Sequence, residues 1–286
     1  MRVTGVCLFS NNEEIVEFDF QDHSQKVPYT MRAMIGLDAE EIVPRFYGRG
    51  TTTKTRYYSP TIGSREIVIR IVLKPQNGVL ETYSSLRDKL YKTISSARDG
   101  QVEIRFMSDL YEMASIKGFI TKFEAPVFSQ VPEVQLTIFC EDGIFKSIKS
   151  IKVRAAGLSK TKMIITDTTS TSPHGMTFEL KFLTKTPYFS IQDVSVVPEW
   201  KFKLIPGTIG GLVDFQVNDR LFFSNEGNEK SVFILRGSTQ YYLADKIETG
   251  SVWPIIFPGE NQYTIDYSTG NFSWTAFSYY ATYWGI

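Results

Sequence analysis

Apolar and polar positions alternate with a period of two along most of this chain, the spacing of strands with one buried face. Val16, Phe18 and Phe20 alternate with Glu17 and Asp19, and Val102, Ile104 and Phe106 with Gln101, Glu103 and Arg105. Val134, Leu136, Ile138 and Cys140 share one side, with Gln135 and Thr137 opposite. Ile67 to Leu73 is apolar on both faces except at Arg70, which predicts a central strand. One segment departs from this period. From Leu80 the apolar residues recur as Tyr83, Leu86, Leu90, Ile94 and Ala97, the spacing of a helix face. Asn77-Gly78 precedes it, Gly100 stops it, and Arg87, Lys89, Lys92 and Arg98 load its second half, which suits the negative end of the helix dipole. One helix among many strands predicts an α+β N-terminal domain in which the helix covers one face of a sheet.

The character changes after the turn Glu141-Asp142-Gly143, and from Ile148 every periodic segment reads as a strand. Met176, Phe178, Leu180 and Phe182 form one such set. Trp200, Phe202 and Leu204 form a second, Val213, Phe215 and Val217 a third, and Tyr263, Ile265 and Tyr267 a fourth. Gly- and Asn-rich clusters separate them: 171–175, 206–211, 225–228 and 268–271. Short strands at regular spacing with such turns predict an all-β sandwich or jelly roll. The expected organisation is a mainly β protein with domains at 1–147 and 148–286.

The chain has 286 residues, enough for two domains of ordinary size. Lys plus Arg and Asp plus Glu are 31 each, so no cationic surplus is available to displace counterions from nucleic-acid phosphates. No apolar run approaches the ~20 residues of a membrane span, and Met1 to Gly5 lacks a signal-peptide core, so a soluble, non-exported chain is expected. Cys7 and Cys140 each sit in an apolar run, the setting of small buried side chains rather than of a disulfide.

Motifs that carry chemistry are sparse. The only histidines, His23 and His174, stand in polar, turn-like surroundings and read as surface or turn residues. No Gly-x-Ser-x-Gly elbow, His-Glu-x-x-His, Cys-x-x-Cys, Gly-x-Gly-x-x-Gly or phosphate loop is present, and Gly207 to Gly211 reads as a tight turn. Asp214, Asp219, Glu260 and Asp266 are carboxylates that a glycosidase could pair, but solvent-facing alternation is much the better explanation of them. No catalytic, cofactor-binding or metal-ligating residue is assigned. The tryptophans, Trp200, Trp253, Trp274 and Trp284, all fall in the second half beside many tyrosines. Trp200 and Trp274 read as core and Trp284 as surface or interface, while sugar-stacking platforms are the alternative. Arg45, Arg49, Lys54, Arg56, Arg65, Arg70 and Lys74 stand against the single acid Glu66, just after Asp38, Glu40 and Glu41. In a head-to-tail ring such opposite patches would set the register between neighbours.

Ile35-Gly36-Leu37-Asp38, Arg65-Glu66-Ile67-Val68-Ile69, Leu86-Arg87-Asp88-Lys89-Leu90 and the run from Leu136 to Phe145 together resemble the N-terminal domain of siphophage distal tail proteins. In the second domain, Asn225-Glu226-Gly227, Ile234-Leu235-Arg236-Gly237, Pro258-Gly259-Glu260 and Tyr263 to Gly270 are similar to the family's galectin-like sandwich. The resemblance implies a non-enzymatic virion protein made in the host cytoplasm. It implies a homohexameric ring at the tail tip, joining tail tube protein to hub and docking receptor-binding, adhesin or baseplate proteins. It implies no cofactor, membrane or specific nucleic acid. A carbohydrate-binding module acting through second-domain aromatics is the alternative.

Overall fold

In the computed structural model the described residues are 3–19, 27–38, 43–47, 56–61, 63–75, 81–108, 112–125, 132–153, 161–195, 200–226, 230–266 and 271–286. The chain divides into two units, Met1–Ile148 with Tyr283–Ile286, and Lys149–Thr282.

The first unit contains β1 (Gly5–Ser10), β2 (Glu13–Asp19), β3 (Tyr29–Ile35), the hairpin β4 (Val43–Tyr47) and β5 (Arg56–Thr61), and β6 (Arg65–Leu73). After α1 (Tyr83–Ala97) come β7 (Gln101–Met107), β8 (Glu112–Glu124), β9 (Glu133–Cys140) and β10 (Phe145–Ser147). The expected sheet is present, and it closes on itself. Pairing runs β8-β7-β1-β2-β3-β6-β9, and β9 returns to β8 through Phe119↔Phe139 and Ile120↔Ile138, making a seven-stranded barrel. Closure leaves these strands no open edge. The alternation read from the sequence is what fills the interior: Val6, Leu8, Phe18, Ile67, Ile69, Ile104, Phe106, Leu136 and Ile138 are fully buried. β6 lies between β3 and β9, as expected of a central strand, with Arg70 its exposed exception.

Gly118 permits the closure. A Cβ there would stand 2.6 Å from the Phe139 carbonyl oxygen and 2.8 Å from both Cys140 Sγ and Ile138. Only a residue without a side chain lets β9 approach the corner of β8 so closely.

The helix begins at Thr82, whose hydroxyl accepts from the Ser85 backbone N–H, while the Thr82 N–H donates to Ser85 Oγ. Leu86, Leu90, Ile94 and Ala97 pack into the barrel's own core. Tyr83, expected on that face, is 54% exposed. Arg98 forms the C-cap, and no base lies in the last turn.

Arg65, the first residue of β6, is 1% exposed. Its Nε donates to the Gly143 carbonyl (2.8 Å), Nη1 to those of Gly36 (2.8 Å) and Asp38 (3.1 Å), and Nη2 to that of Trp284 (2.7 Å). The guanidinium also lies 4.4 Å over the Phe145 ring, which packs edge-on against Phe106. One side chain thus fastens the end of β3, the turn after β9 and the C-terminal residues. Arg65 is therefore no part of a surface charge pattern, contrary to the sequence reading: its stem enters the core, and its charge is spent on backbone carbonyls.

The second unit holds β11 (Ile151–Lys152), β12 (Lys162–Asp167), β13 (Thr177–Phe182), β14 (Phe189–Asp193), β15 (Trp200–Leu204), the hairpin β16 (Thr208–Ile209) and β17 (Leu212–Val213), and β18 (Arg220–Ser224). β19 (Ser231–Arg236), β20 (Thr239–Tyr242), β21 (Gly259–Asp266) and β22 (Phe272–Tyr279) follow. They form sheets ordered β11-β22-β13-β18-β19-β20 and β12-β21-β14-β15. Both sheets contribute to one core rich in phenylalanine, where Phe178 stacks on Phe223 at 4.5 Å and Phe182 on Phe215 at 4.4 Å.

The glycine cluster is the turn it was read as, with positive φ at Gly210 and Gly211 between β16 and β17. The alternation Val213-Phe215-Val217 is not a strand. Asp214 and Asn218 have φ of +70° and +72°, so only Phe215 turns inward, while Val213 and Val217 are each 53% exposed.

Replacing Arg65 with methionine leaves its carbonyl acceptors unpaired and should cost roughly 3–5 kcal/mol. Arg65→Lys should recover little, because an ammonium cannot reproduce the planar fork. Urea unfolding measures this; a loss below about 1 kcal/mol for Arg65→Met contradicts the fastening role.

Candidate functional surfaces

The expected chemistry residues are placed as follows. His23, Glu40 and Glu41 and the side chains of Arg45, Arg49, Lys54 and Arg56 lie outside the described residues. His174 is not at the surface: it is 7% exposed, stacked on Tyr279 at 4.8 Å and bridged through its backbone to Ile256. Its polar sequence neighbours concealed the reason, which is Asp167, seven residues earlier at the end of β12. Nε2 lies 2.9 Å from Asp167 Oδ2 and Nδ1 lies 2.9 Å from the Gly175 carbonyl. The Gly175 carbonyl can only accept, so Nδ1 donates to it, while Nε2 faces Asp167 Oδ2; both ring nitrogens are engaged by the fold. Ser170 and Ser172 nearby both bond with Thr282, and the Ser170 N–H also donates to Asp167. Burial alone would raise the Asp167 carboxyl. Hydrogen bonds from Ser170, His174 and the Thr169 backbone outweigh it and hold the group at about 2.

The carboxylates considered for sugar cleavage are engaged with separate partners. Asp219, 1% exposed, receives two parallel bonds from Arg236 (3.0 and 2.8 Å) and one from the Gln216 N–H. Arg236 also donates to the carbonyls of Ile209 and Asp214, so the pair fastens the loops around β16 and β17. Asp214 pairs with Lys185, Glu260 accepts from Gln262, and Asp266 accepts from the Tyr188 hydroxyl. Among the described residues no group of three or more His, Cys, Asp or Glu is placed to hold a metal, and no helix is long and apolar enough to cross a membrane. Cys7 and Cys140 are both buried, and burial pushes the Cys140 thiol up to about 12, against the opposing pull of Arg65.

The tryptophans divide. Trp274 is core, edge-on to Phe178, Phe272 and Phe277. Trp253 packs on Phe202 and Phe223, and Trp200 lies beside Phe257. Trp200 and Trp284 are half-buried.

Two outward surfaces carry aromatic side chains that the sequence did not single out. On the barrel, cross-strand partners Phe119 and Phe139 are 37% and 38% exposed, between Gln101 on β7 and Glu66 on β6. On the six-stranded sheet, Glu179, Phe222, Phe233 and Tyr242 form one row across β13, β18, β19 and β20. No sequence periodicity links these residues, because their adjacency depends on strand order and register.

No family model matches the chain, and no curated protein matches it by sequence. Among solved structures it is similar to one described as SPP1 Dit (gp 19.1), "a paradigm of hub adsorption apparatus in Gram-positive infecting phages". The TM-score is 0.62 at 12% identity, covering 97% of this chain and 98% of that one. Chains of the phage P2 baseplate, in its activated conformation with Ca or Sr, match at 10% and 11% identity over 97% and 96% of this chain and 97% of each. Their TM-scores of 0.44 and 0.42 add nothing to the fold assignment. The chain shares the fold of that SPP1 Dit structure.

Because the folded-state carboxyl of Asp167 lies below its ordinary 3.8, its ionised form stabilises the fold above about pH 4 and ceases to do so as pH falls toward 2. Asp167→Asn should therefore cost about 1–2 kcal/mol at neutral pH, with the difference from the parent vanishing near pH 2. Urea unfolding across that range measures it; a pH-independent difference contradicts the assignment.

Proposed function

We propose that this chain is a structural subunit of a phage tail tip that works by shape rather than by bond-breaking. The observation that carries this reading is the likeness to SPP1 Dit across both units, in the same order and over nearly all of both chains. The sequence motifs that suggested the family fall on fasteners of the fold, which supports the same reading. Arg65 ties the barrel, Arg236 ties the sandwich loops, and Asn225 accepts from the Met176 N–H and donates to the Pro254 carbonyl.

In this reading copies of the first unit close into a homohexameric ring continuous with the tail tube. The second unit carries hub, baseplate or receptor-binding components, and the protein belongs to the virion. The exposed Phe119–Phe139 pair and the charged groove of about 580 Å³ lined by Arg70, Glu124 and Glu133 give the barrel apolar and polar elements for contact with neighbours. Asp38, Glu66, Arg70 and Lys74 are exposed, and in this reading they help to set register between neighbours. The engaged states of His174, Asp219 and Asp266 are those of structural groups, in keeping with a protein that has no catalytic task.

Light scattering of the purified chain tests the assembly. The reading predicts a discrete particle of six times 32.6 kDa. A mass that stays at one copy at every concentration, or an unbounded series of masses, contradicts a closed ring.

A further inference from the structure

The outer face of the six-stranded sheet carries a feature that a purely architectural role does not use. Phe222 and Phe233, cross-strand partners on β18 and β19, stack at 4.9 Å with 10° between their planes. That separation is the spacing of adjacent strands, so the rings stand side by side on the sheet as a short aromatic wall. Tyr242, 71% exposed, continues it to the edge strand, 6.0 Å from Phe233.

Beside the wall is a shallow groove of about 220 Å³. Its floor is kept low by small side chains: Ala276 lies across from Glu179, and Thr177, Ser224 and Ser231 form a neighbouring row of hydroxyls. Thr177 and Ser224 are 3.1 Å apart, oxygen to oxygen. An ion pair flanks the groove. Arg220 donates to Glu179 Oε1 from both Nε (2.8 Å) and Nη2 (2.6 Å), and its guanidinium lies 5.1 Å from the Phe222 ring. Glu179 Oε2 accepts no hydrogen bond among the described residues, although the side chain is only 14% exposed.

These groups suit one kind of ligand. A pyranose has a face of C–H bonds, which an aromatic ring's negative quadrupole attracts, and a rim of hydroxyls that both donate and accept. The wall offers the first contact. A carboxylate with a spare acceptor, a guanidinium with exposed donors and a row of hydroxyls offer the second. The groove is also small beside the roughly 300–1,000 Å³ of drug-sized pockets, as befits a single sugar ring. We propose that this groove binds a saccharide. A ring hydroxyl donates to Glu179, Arg220 donates to a ring oxygen, and the C–H face lies along the Phe222–Phe233 wall. The residues are not the tryptophans considered from the sequence, of which Trp274 lies in the core and Trp253 against it. The inference does not depend on ring formation.

Saturation-transfer difference NMR on the full chain tests it, with the methyl pyranosides of glucose, galactose, mannose and N-acetylglucosamine as probes. The expected result is transfer to the ring C–H protons of at least one glycoside. Glu179→Gln, which keeps the shape, should weaken its affinity about tenfold through loss of a charged acceptor, and Phe222→Leu should weaken it severalfold. Transfer to none of the four, or binding unchanged in both variants while their melting temperatures match the parent, overturns the proposal. The mass of the same sample separates the two readings. A ring that binds no glycoside removes only this inference, whereas a monomer that binds one removes only the ring.

Discussion

A single buried guanidinium holds the first unit's closure together. Taking an arginine out of water is costly unless its donors are met, and Arg65 meets that condition with four backbone carbonyls drawn from three places in the sequence. Those carbonyls sit where β3 ends, where β9 turns and where the chain finishes. These are segments that strand pairing does not fix. The consequence is topological: residues 283–286 belong to the first unit, and the second unit is inserted between Ile148 and Tyr283. Gly118 supplies the complementary steric condition by letting β8 and β9 meet.

The second unit solves its loops differently. Its core is almost wholly aromatic and aliphatic, so specificity is supplied at the margins by paired polar groups. Arg236 and Asp219 fix the glycine hairpin, Asp167 and His174 fix the entry to β13, and Asn225 fixes the exit from β18. Each is a charge or amide buried with its partners satisfied, the arrangement under which burial ceases to be a penalty. Groups committed in this way are poor candidates for acid–base work.

How far the sequence could be read follows from the same physics. Strands whose two faces differ in polarity were legible, as was the helix face Leu86-Leu90-Ile94-Ala97, because periodicity records burial directly. Barrel closure was not, since it depends on a non-local pairing between Phe119 and Phe139 and on one missing side chain. Phe215 mimicked a strand because alternation says nothing about the positive φ at Asp214. His174 looked superficial because its partner lies outside its own turn. The row Glu179-Phe222-Phe233-Tyr242 lies on four strands, and Phe222 sits beside Phe223, which faces the core. Only register tells the two rings apart.

The central claim is that this chain is part of a tail tip by virtue of its shape. Electron microscopy of intact virions decorated with gold-labelled antibody against the chain tests that most directly. The account predicts label confined to the distal end of the tail and centred on the tube axis. Label along the tail or on the capsid, or particles whose tips carry none, would contradict it.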